Sequence, residues 1–437
     1  MLQDLGDRLV MRYPTDADTD ALCAFNAEMH GAPGPPDERI GVWTRDIMAG
    51  THPTSRQTDF TVIEDTRTGK IISSLNLISQ TWTYGGIPFG VGQVEAVATH
   101  PDYRRKGLVR KQFELVHQWS RARGELVQVV SGILWYYRQF GYEYALEHDG
   151  GRGGYLATVP TLTADAEEPY RVRPATDTDL ALIARLDEAA RARYLVTASR
   201  DAALWRYELD GRSESNLARR GLRIIESAAG KPVGYLTHAE HLNGPWLVAQ
   251  AIELDAGISW LAVMPSVLRY LAEAGKAYQA GEGQTSFGGY MFLLGTDHPV
   301  YRAIPDRLTV ERPSYAWYVR VPDLPALITR IAPVLEARLA ASVAVGYTGE
   351  LKLCFYRDGL RLRFTDGKVS AEPWPEAHDQ DADALFPEQT FLQVLFGYRS
   401  MEELRHAFPD VSARNERSKV LLEALFPKQA SLVWQIS

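Results

Sequence analysis

Leu108, Phe113, Leu115, Val116 and Trp119 place apolar side chains at helical spacing, the mark of an amphipathic helix. Before it, Val91 to Thr99 reads as an apolar strand stopped by Pro101, and after it Leu126 to Val130 reads as another strand. Phe60 to Glu64, Gly69-Lys70 and Ile71-Ile72 give strand, glycine turn, strand; Leu222 to Glu226, Gly230-Lys231 and Val233 give the same succession further along. A second match has nearly the same offset. Arg12 to Asp18 reads R-x-x-T-D-x-D before apolar Ala21-Leu22, and Arg173 to Asp179 repeats it 161 residues later before Leu182-Ile183. Thr or Asp before a helical pattern is N-cap chemistry, because the side-chain oxygen accepts an orphan backbone N–H. Two matches in the same order imply a duplicated unit.

Beyond Val321 the pattern matches neither copy. Leu324 to Leu339 is helical, and Leu351, Leu353 and Phe355 alternate up to Asp358-Gly359. Leu360, Leu362 and Phe364 alternate up to Asp366-Gly367, and Val369 resumes. Asp-Gly between alternating apolar runs predicts hairpins. Helices are expected over Gln389 to Leu395 and Ser418 to Leu425. Proline and polar residues from Thr161 to Pro169 and from Arg312 to Pro325 mark the interruptions. The expected organisation is therefore α/β, or α+β, with domains at 1–160, 161–320 and 321–437.

Composition narrows the class. The 437 residues are 45% hydrophobic and 23% charged, which is ordinary for a folded chain and excludes disordered and collagenous classes. No apolar run reaches the ~18–20 residues of a membrane span, and Asp4, Asp7 and Arg8 occupy the place of a signal-peptide core. Two distant cysteines, Cys23 and Cys354, exclude a disulfide framework and point to a reduced, cytoplasmic setting. A net charge of −8 argues against a nucleic-acid partner, and no membrane partner is expected.

Between the strand and the helix of the first copy sits Arg104-Arg105-Lys106-Gly107, followed by Leu108-Val109-Arg110. A helix N-terminus offers unpaired N–H groups and partial positive charge to an anion. Glycine lets the ligand approach the backbone. The second copy is a control: no Lys or Arg occurs between Lys231 and Arg269, so it is not expected to hold a phosphate in this way.

The R-x-x-G turn resembles the coenzyme A pyrophosphate loop of GNAT-superfamily N-acetyltransferases. The Gly-Leu-Val-Arg run, Gly107 to Arg110, resembles the enhanced intracellular survival (Eis) type, as do Phe396 to Ser400 near the end. Val109 stands where the usual GNAT pattern has Gly or Ala. The resemblance implies an active GNAT domain, a degenerate second one and a sterol-carrier-like third domain. It also implies acetyl-CoA as co-substrate with no metal, an amine acceptor such as a small cationic amine, an aminoglycoside-like compound or a lysine, and a homo-oligomer, typically a hexamer. The backbone of Val97, Ala98 and Thr99 is expected to splay and hold the thioester.

The Y-x-x-F-G-Y ending of Trp135 to Tyr142 resembles the Eis motif whose first tyrosine protonates the departing thiolate. By spacing that is Tyr137, with Tyr136 as fallback; core aromatics are the competing explanation. Two residues are candidates for the base that deprotonates the amine. One is the terminal carboxylate, here that of Ser437, as the resemblance implies. The other is Glu95, which on a regular strand shares a face with Val97 and Thr99. Trp43, Trp82 and Tyr84 are candidates for an acceptor wall or for the core. His238 and His241 lack a third zinc ligand and are read as surface histidines. A non-catalytic protein that binds coenzyme A or an apolar ligand is the alternative to an N-acetyltransferase.

Overall fold

The computed structural model describes residues 2–163, 165–279 and 286–437. Its first segment contains strands β1 (Gln3–Gly6), β2 (Leu9–Arg12), β3 (Phe60–Asp65), β4 (Lys70–Tyr84), β5 (Ile87–Thr99), β6 (Val127–Val130), β7 (Glu143–His148) and β8 (Gly151–Tyr155). Helices α1 (Thr19–Gly31), α2 (Glu38–Met48) and α3 (Leu108–Ala122) accompany them. The second contains β9 (Tyr170–Pro174), β10 (Val196–Ser199), β11 (Arg220–Ser227), β12 (Pro232–Ala239), β13 (Trp246–Leu254), β14 (Gly289–Phe292), β15 (Val310–Arg312) and β16 (Tyr315–Arg320). Its helices are α4 (Leu180–Arg191), α5 (Ala202–Arg206), α6 (Trp260–Tyr278) and α7 (Pro299–Ala303).

The duplication is visible in side-chain chemistry. Arg12 donates to both oxygens of Asp18 at 2.7 Å and to Glu64 at 2.7 Å. Arg173 repeats this with Asp179, at 2.7 and 2.9 Å, and with Glu226 at 2.7 Å. Thr15 and Thr176 start the turns that lead into α1 and α4, each in a capping box with its aspartate. The repeated motif ties β2 to the start of α1 and to β3, and β9 to the start of α4 and to β11.

The two units also exchange strands. The first sheet runs β1-β2-β3-β4-β5-β6-β16-β7, with β10 on the far half of β4. The second runs β15-β8-β14-β13-β12-β11-β9. Thus β16, from the end of the second unit, lies between β6 and β7, and β8, from the end of the first, lies between β14 and β15. The stretch from Arg312 to Pro325, expected as an interruption, carries this inserted strand. Its Ala316, Trp317, Tyr318 and Val319 are all buried. A strand covered on both faces reads as an apolar run without alternation.

The third segment has α8 (Leu324–Ala340), the meander β17 (Gly349–Cys354), β18 (Gly359–Thr365) and β19 (Lys368–Pro373), then β20 (Ala384–Leu385). It closes with α9 (Phe391–Leu395), α10 (Met401–Ala407), β21 (Ser412–Ala413) and α11 (Glu416–Leu425). The hairpins fall at the Asp-Gly turns, whereas α10 was not anticipated. One core runs from Trp82 and Trp317 of the first sheet through Leu327, Ile331 and Leu335 of α8 to Leu351 and Leu362. Trp43, Trp82 and Tyr84 are core residues. His238 is also buried, bonded to Tyr270 at 2.9 Å, which corrects its reading as a surface histidine.

Candidate functional site: a cleft at the splay of two parallel strands

β5 pairs with β6 only over Val91–Val94, opposite Val127–Val130. Beyond Val94 the strands part, leaving the edge of β5 from Glu95 to Thr99 without a strand partner on that side. On its other side the register with β4 slips: Glu95 faces Asn76, but Ala98 faces Ser74. An extra residue is therefore accommodated at Ala96-Val97, and Ala96 takes φ +50°. The bulge corrects the expected side-chain phase. Glu95 shares a face with Ala98, while Val97 and Thr99 turn to the α3 side, where Val97 packs near Phe113 and Thr99 meets Ser73 at 2.9 Å. A regular strand would have put all three together.

The splay opens into a cleft of about 840 Å³, lined by Glu95 to Thr99, Arg104, Arg105, Gly107 to Arg110, Ser131 to Ile133, Tyr136 and Tyr137. The loop at its mouth follows from two backbone positions. Arg105 has φ +64° and Gly107 φ +75°, and Gly107 begins α3 with no side-chain cap. The first N–H groups of a helix have no partner within it, so those at Leu108, Val109 and Arg110 face the cleft mouth as donors. Arg104, Arg105, Lys106 and Arg110 are all exposed, and none forms an ion pair among the described residues. Arg104 Nε donates to the Thr99 carbonyl at 3.2 Å, Arg110 to Gln139 at 3.0 Å, and Lys106 lies over Tyr103, outside the lining.

The second unit lacks this apparatus. β13 and β14 also pair in parallel over only Trp246–Ala249. At the start of α6, however, Ser259 accepts from the Ala262 N–H at 3.4 Å. The space beyond the parallel pairing is a void of only about 40 Å³, bordered by Leu432, Trp434 and His298.

Tyr137 begins the one-turn helix Tyr137–Phe140 and is 2% exposed. Its ring packs on Phe113, Tyr136 and Tyr318 at centroid distances of 5.7, 5.2 and 5.2 Å. Among the described residues its hydroxyl has no hydrogen-bond partner. Burial pushes its pKa well up, and the nearby Glu95 charge adds to this. Burial also raises Tyr136. Glu95 is half-buried; burial raises its pKa, against hydrogen bonds from Gln93 and Gln435 and the proximity of His148.

The carboxyl-terminal segment docks beside this strand. Leu432 N–H donates to Val196 at 3.0 Å, Arg200 lies over Trp434 at 3.7 Å, and Ile436 is fully buried. Ser437 is held through its carbonyl oxygen by Arg212, at 2.6 and 3.2 Å, and Arg212 is paired with Glu208. Ser437 does not line the cleft, whereas Glu95 and Tyr137 do. Gln80, Gln93 and Gln435, absent from the sequence reading, form a chain of amides leading to Glu95. Asn76, the register partner of Glu95, keeps its buried Nδ2 unpaired. Nothing local in the sequence marked these residues.

Residues 11–145 match the model of the acetyltransferase (GNAT) domain. The first domain is a GNAT acetyltransferase domain. Its splay, bulge and uncapped helix face a cleft; the second unit repeats the short parallel pairing and a register slip at Gln250, but its helix start is capped and the space is nearly closed. Solved structures extend the likeness to the whole chain. A GCN5-related N-acetyltransferase from Anabaena variabilis has a TM-score of 0.65 at 14% identity, over 98% of this chain and 99% of its own. A probable N-acyltransferase of Enterococcus faecalis gives 0.67 at 13%, over 98% and 99%. Eis1 of Mycobacterium abscessus gives 0.57 at 14%, over 98% of each chain. The tandem fold with a carboxyl-terminal α+β domain is thus shared along the chain. No curated protein sequence is significantly similar to it. No helix of the described residues is long and apolar enough to cross a membrane.

Proposed function

We propose that the protein is an acetyl-CoA-dependent N-acetyltransferase that acylates a primary amine by direct attack in a ternary complex. One observation carries the reading: a single cleft joins an uncapped helix N-terminus with three arginines outside any ion pair, a bulged strand edge, a carboxylate and a buried tyrosine. The α3 N–H groups with Arg104, Arg105 and Arg110 would hold the pyrophosphate. The unpaired edge of β5 at Val97 to Thr99 would pair with the pantetheine arm, its N–H groups polarising the thioester carbonyl. Lys106 would add long-range charge.

Glu95 is the favoured base, because it lines the cleft while the Ser437 oxygen is engaged by Arg212. The amine nitrogen attacks the acetyl carbon and loses its proton to Glu95. The C–S bond breaks as Tyr137 gives its proton to the departing sulfur. Burial is the larger cause of the raised Tyr137 pKa; protonation of Glu95 removes the charge that adds to it. Proton return from Glu95 to Tyr137 resets the site. Acyl transfer followed as thiol release across polyamines, aminoglycosides and lysine peptides tests the reading. Turnover with one acceptor class is expected; none with any class overturns it.

The resemblance to Eis enzymes supports a sterol-carrier-like third domain and a hexamer, the assembly being readable by sedimentation, and the two free cysteines fit a cytoplasmic setting. A second cleft of about 860 Å³, walled by Phe355, Tyr356, Trp374 and Phe391, favours a second reading, a coenzyme A-binding sensor with an apolar ligand in its third domain. Tight acetyl-CoA binding without turnover would select it.

A further inference from the structure

The carboxyl-terminal segment and the candidate base are joined by a directed chain of hydrogen bonds. It starts at Trp82, whose indole N–H can only donate. That N–H donates to Gln80 Oε1 at 2.8 Å, which obliges Gln80 to present its amide nitrogen on the other side. The nitrogen donates to Gln93 Oε1 and to the carbonyl of Ile436, the latter at 2.9 Å. Gln93 is oriented in turn and donates to Glu95 Oε1. Gln435 donates to the same oxygen at 2.6 Å. Its backbone carbonyl is held by Arg200 at 3.1 Å, and the adjoining Ile436 is fully buried, which fixes the main chain from which the amide reaches out. Gln80 and Gln93 are thus each set by a neighbour, and Gln435 turns its amide nitrogen to a carboxylate that, when ionised, can only accept.

Two amide donors converge on Oε1, and among the described residues Oε2 has no partner. We infer that Gln435 is a positioning residue: with Gln93 it holds Glu95 as an acceptor with Oε2 presented to the amine, so that docking of residues 430–437 sets the reactivity of the base. The inference rests on the assignment of Glu95 as base. The other titratable groups facing Glu95 are Tyr137, from the turn after β6, and His148 of β7. His148 is itself beside Asp149 at 3.2 Å.

The test is the pH dependence of kcat/KM for Gln435→Ala and Gln435→Glu, alongside Glu95→Gln and His148→Gln, in the full-length protein. Loss of a hydrogen bond to a charged group corresponds to about one pH unit or somewhat more. Gln435→Ala is therefore expected to move the acid limb up by about one unit and to lower kcat several-fold. Gln435→Glu is expected to move the limb further, by opposing a second carboxylate. KM for acetyl-CoA should hold in both, while the unfolding midpoint at neutral pH should fall modestly, as the raised carboxyl pKa requires, and approach the parent's at acid pH. Gln435 variants that lose rate with an unmoved limb, or that change nothing, overturn the positioning role. The base assignment itself fails separately, if Glu95→Gln keeps both rate and limb. A limb that survives in Glu95→Gln and vanishes in His148→Gln also overturns the inference.

Discussion

Replacing Tyr137 by Phe removes one oxygen and leaves every ring contact in place. The hydroxyl has no protein partner among the described residues, so its loss orphans no buried group, and the rings of Phe113, Tyr136 and Tyr318 still pack on the new side chain. The effect on stability should be below ~0.5 kcal/mol, as for changes that disrupt no named interaction. The effect on rate should be large. A positioned proton donor contributes ~10²–10⁴-fold, or about 3–5 kcal/mol of barrier. Because burial and the Glu95 charge keep the tyrosine protonated, it is a donor across the assay range, and the loss should be independent of pH. Initial rates of thiol release, paired with calorimetric binding of acetyl-CoA, separate chemistry from binding. A kcat within about threefold of the parent, or a loss matched by equally weakened binding, would refute the role; an equal loss in Tyr136→Phe instead would move it to the neighbouring hydroxyl.

Arg105→Glu should raise KM for acetyl-CoA by ~10–100-fold, the worth of a charge-assisted hydrogen bond, with kcat little changed, as steady-state kinetics would show. In Gly107→Ala an added Cβ meets nothing within 4 Å, so the cost is that of φ +75° alone, about 1–2 kcal/mol by urea unfolding, together with a raised KM. The burial-raised Glu95 pKa makes kcat/KM fall as pH drops through a value above the ordinary carboxylate range, and Glu95→Gln should flatten that limb. The Asp179 carboxyl is held down to about 2, first by its hydrogen bonds from Arg173. Its stabilisation is therefore present above the ordinary Asp pKa of 3.8 and lost as pH falls through about 2. Asp179→Asn should cost about 1–2 kcal/mol at neutral pH, much of the pair being screened, and little near pH 2. Residues 1–160 expressed alone lack β16 and should fail to give a cooperative unfolding transition by circular dichroism.

What the sequence disclosed was local. The R-x-x-T-D-x-D repeat announced two equivalent helix starts, since N-cap chemistry lies within a few residues, and the Arg12–Asp18–Glu64 and Arg173–Asp179–Glu226 clusters are its outcome. The cationic turn at the start of α3 and its missing counterpart in the second unit were legible because charge and glycine are written in the residues themselves. Partners distant in the chain left no such trace. Nothing in Tyr315 to Arg320 says that the strand belongs between β6 and β7. The bulge at Ala96 is equally hidden, because a non-glycine residue at φ +50° carries no compositional sign; it reversed the expected phase of Val97 and Thr99. The approach of Gln435 to Glu95 spans most of the chain and depends on the docked tail. The cationic turn could be read from the sequence, and the environment of Glu95 could not.

The central claim is that the duplicated fold keeps one acetyl-CoA site, in the first copy, and has filled the other. Titration calorimetry of the full-length protein with acetyl-CoA tests this directly. The account predicts one site per chain, weakened at least tenfold by Arg105→Glu, the size of a lost charge-assisted hydrogen bond. Two sites per chain, no binding, or binding indifferent to that substitution would contradict it.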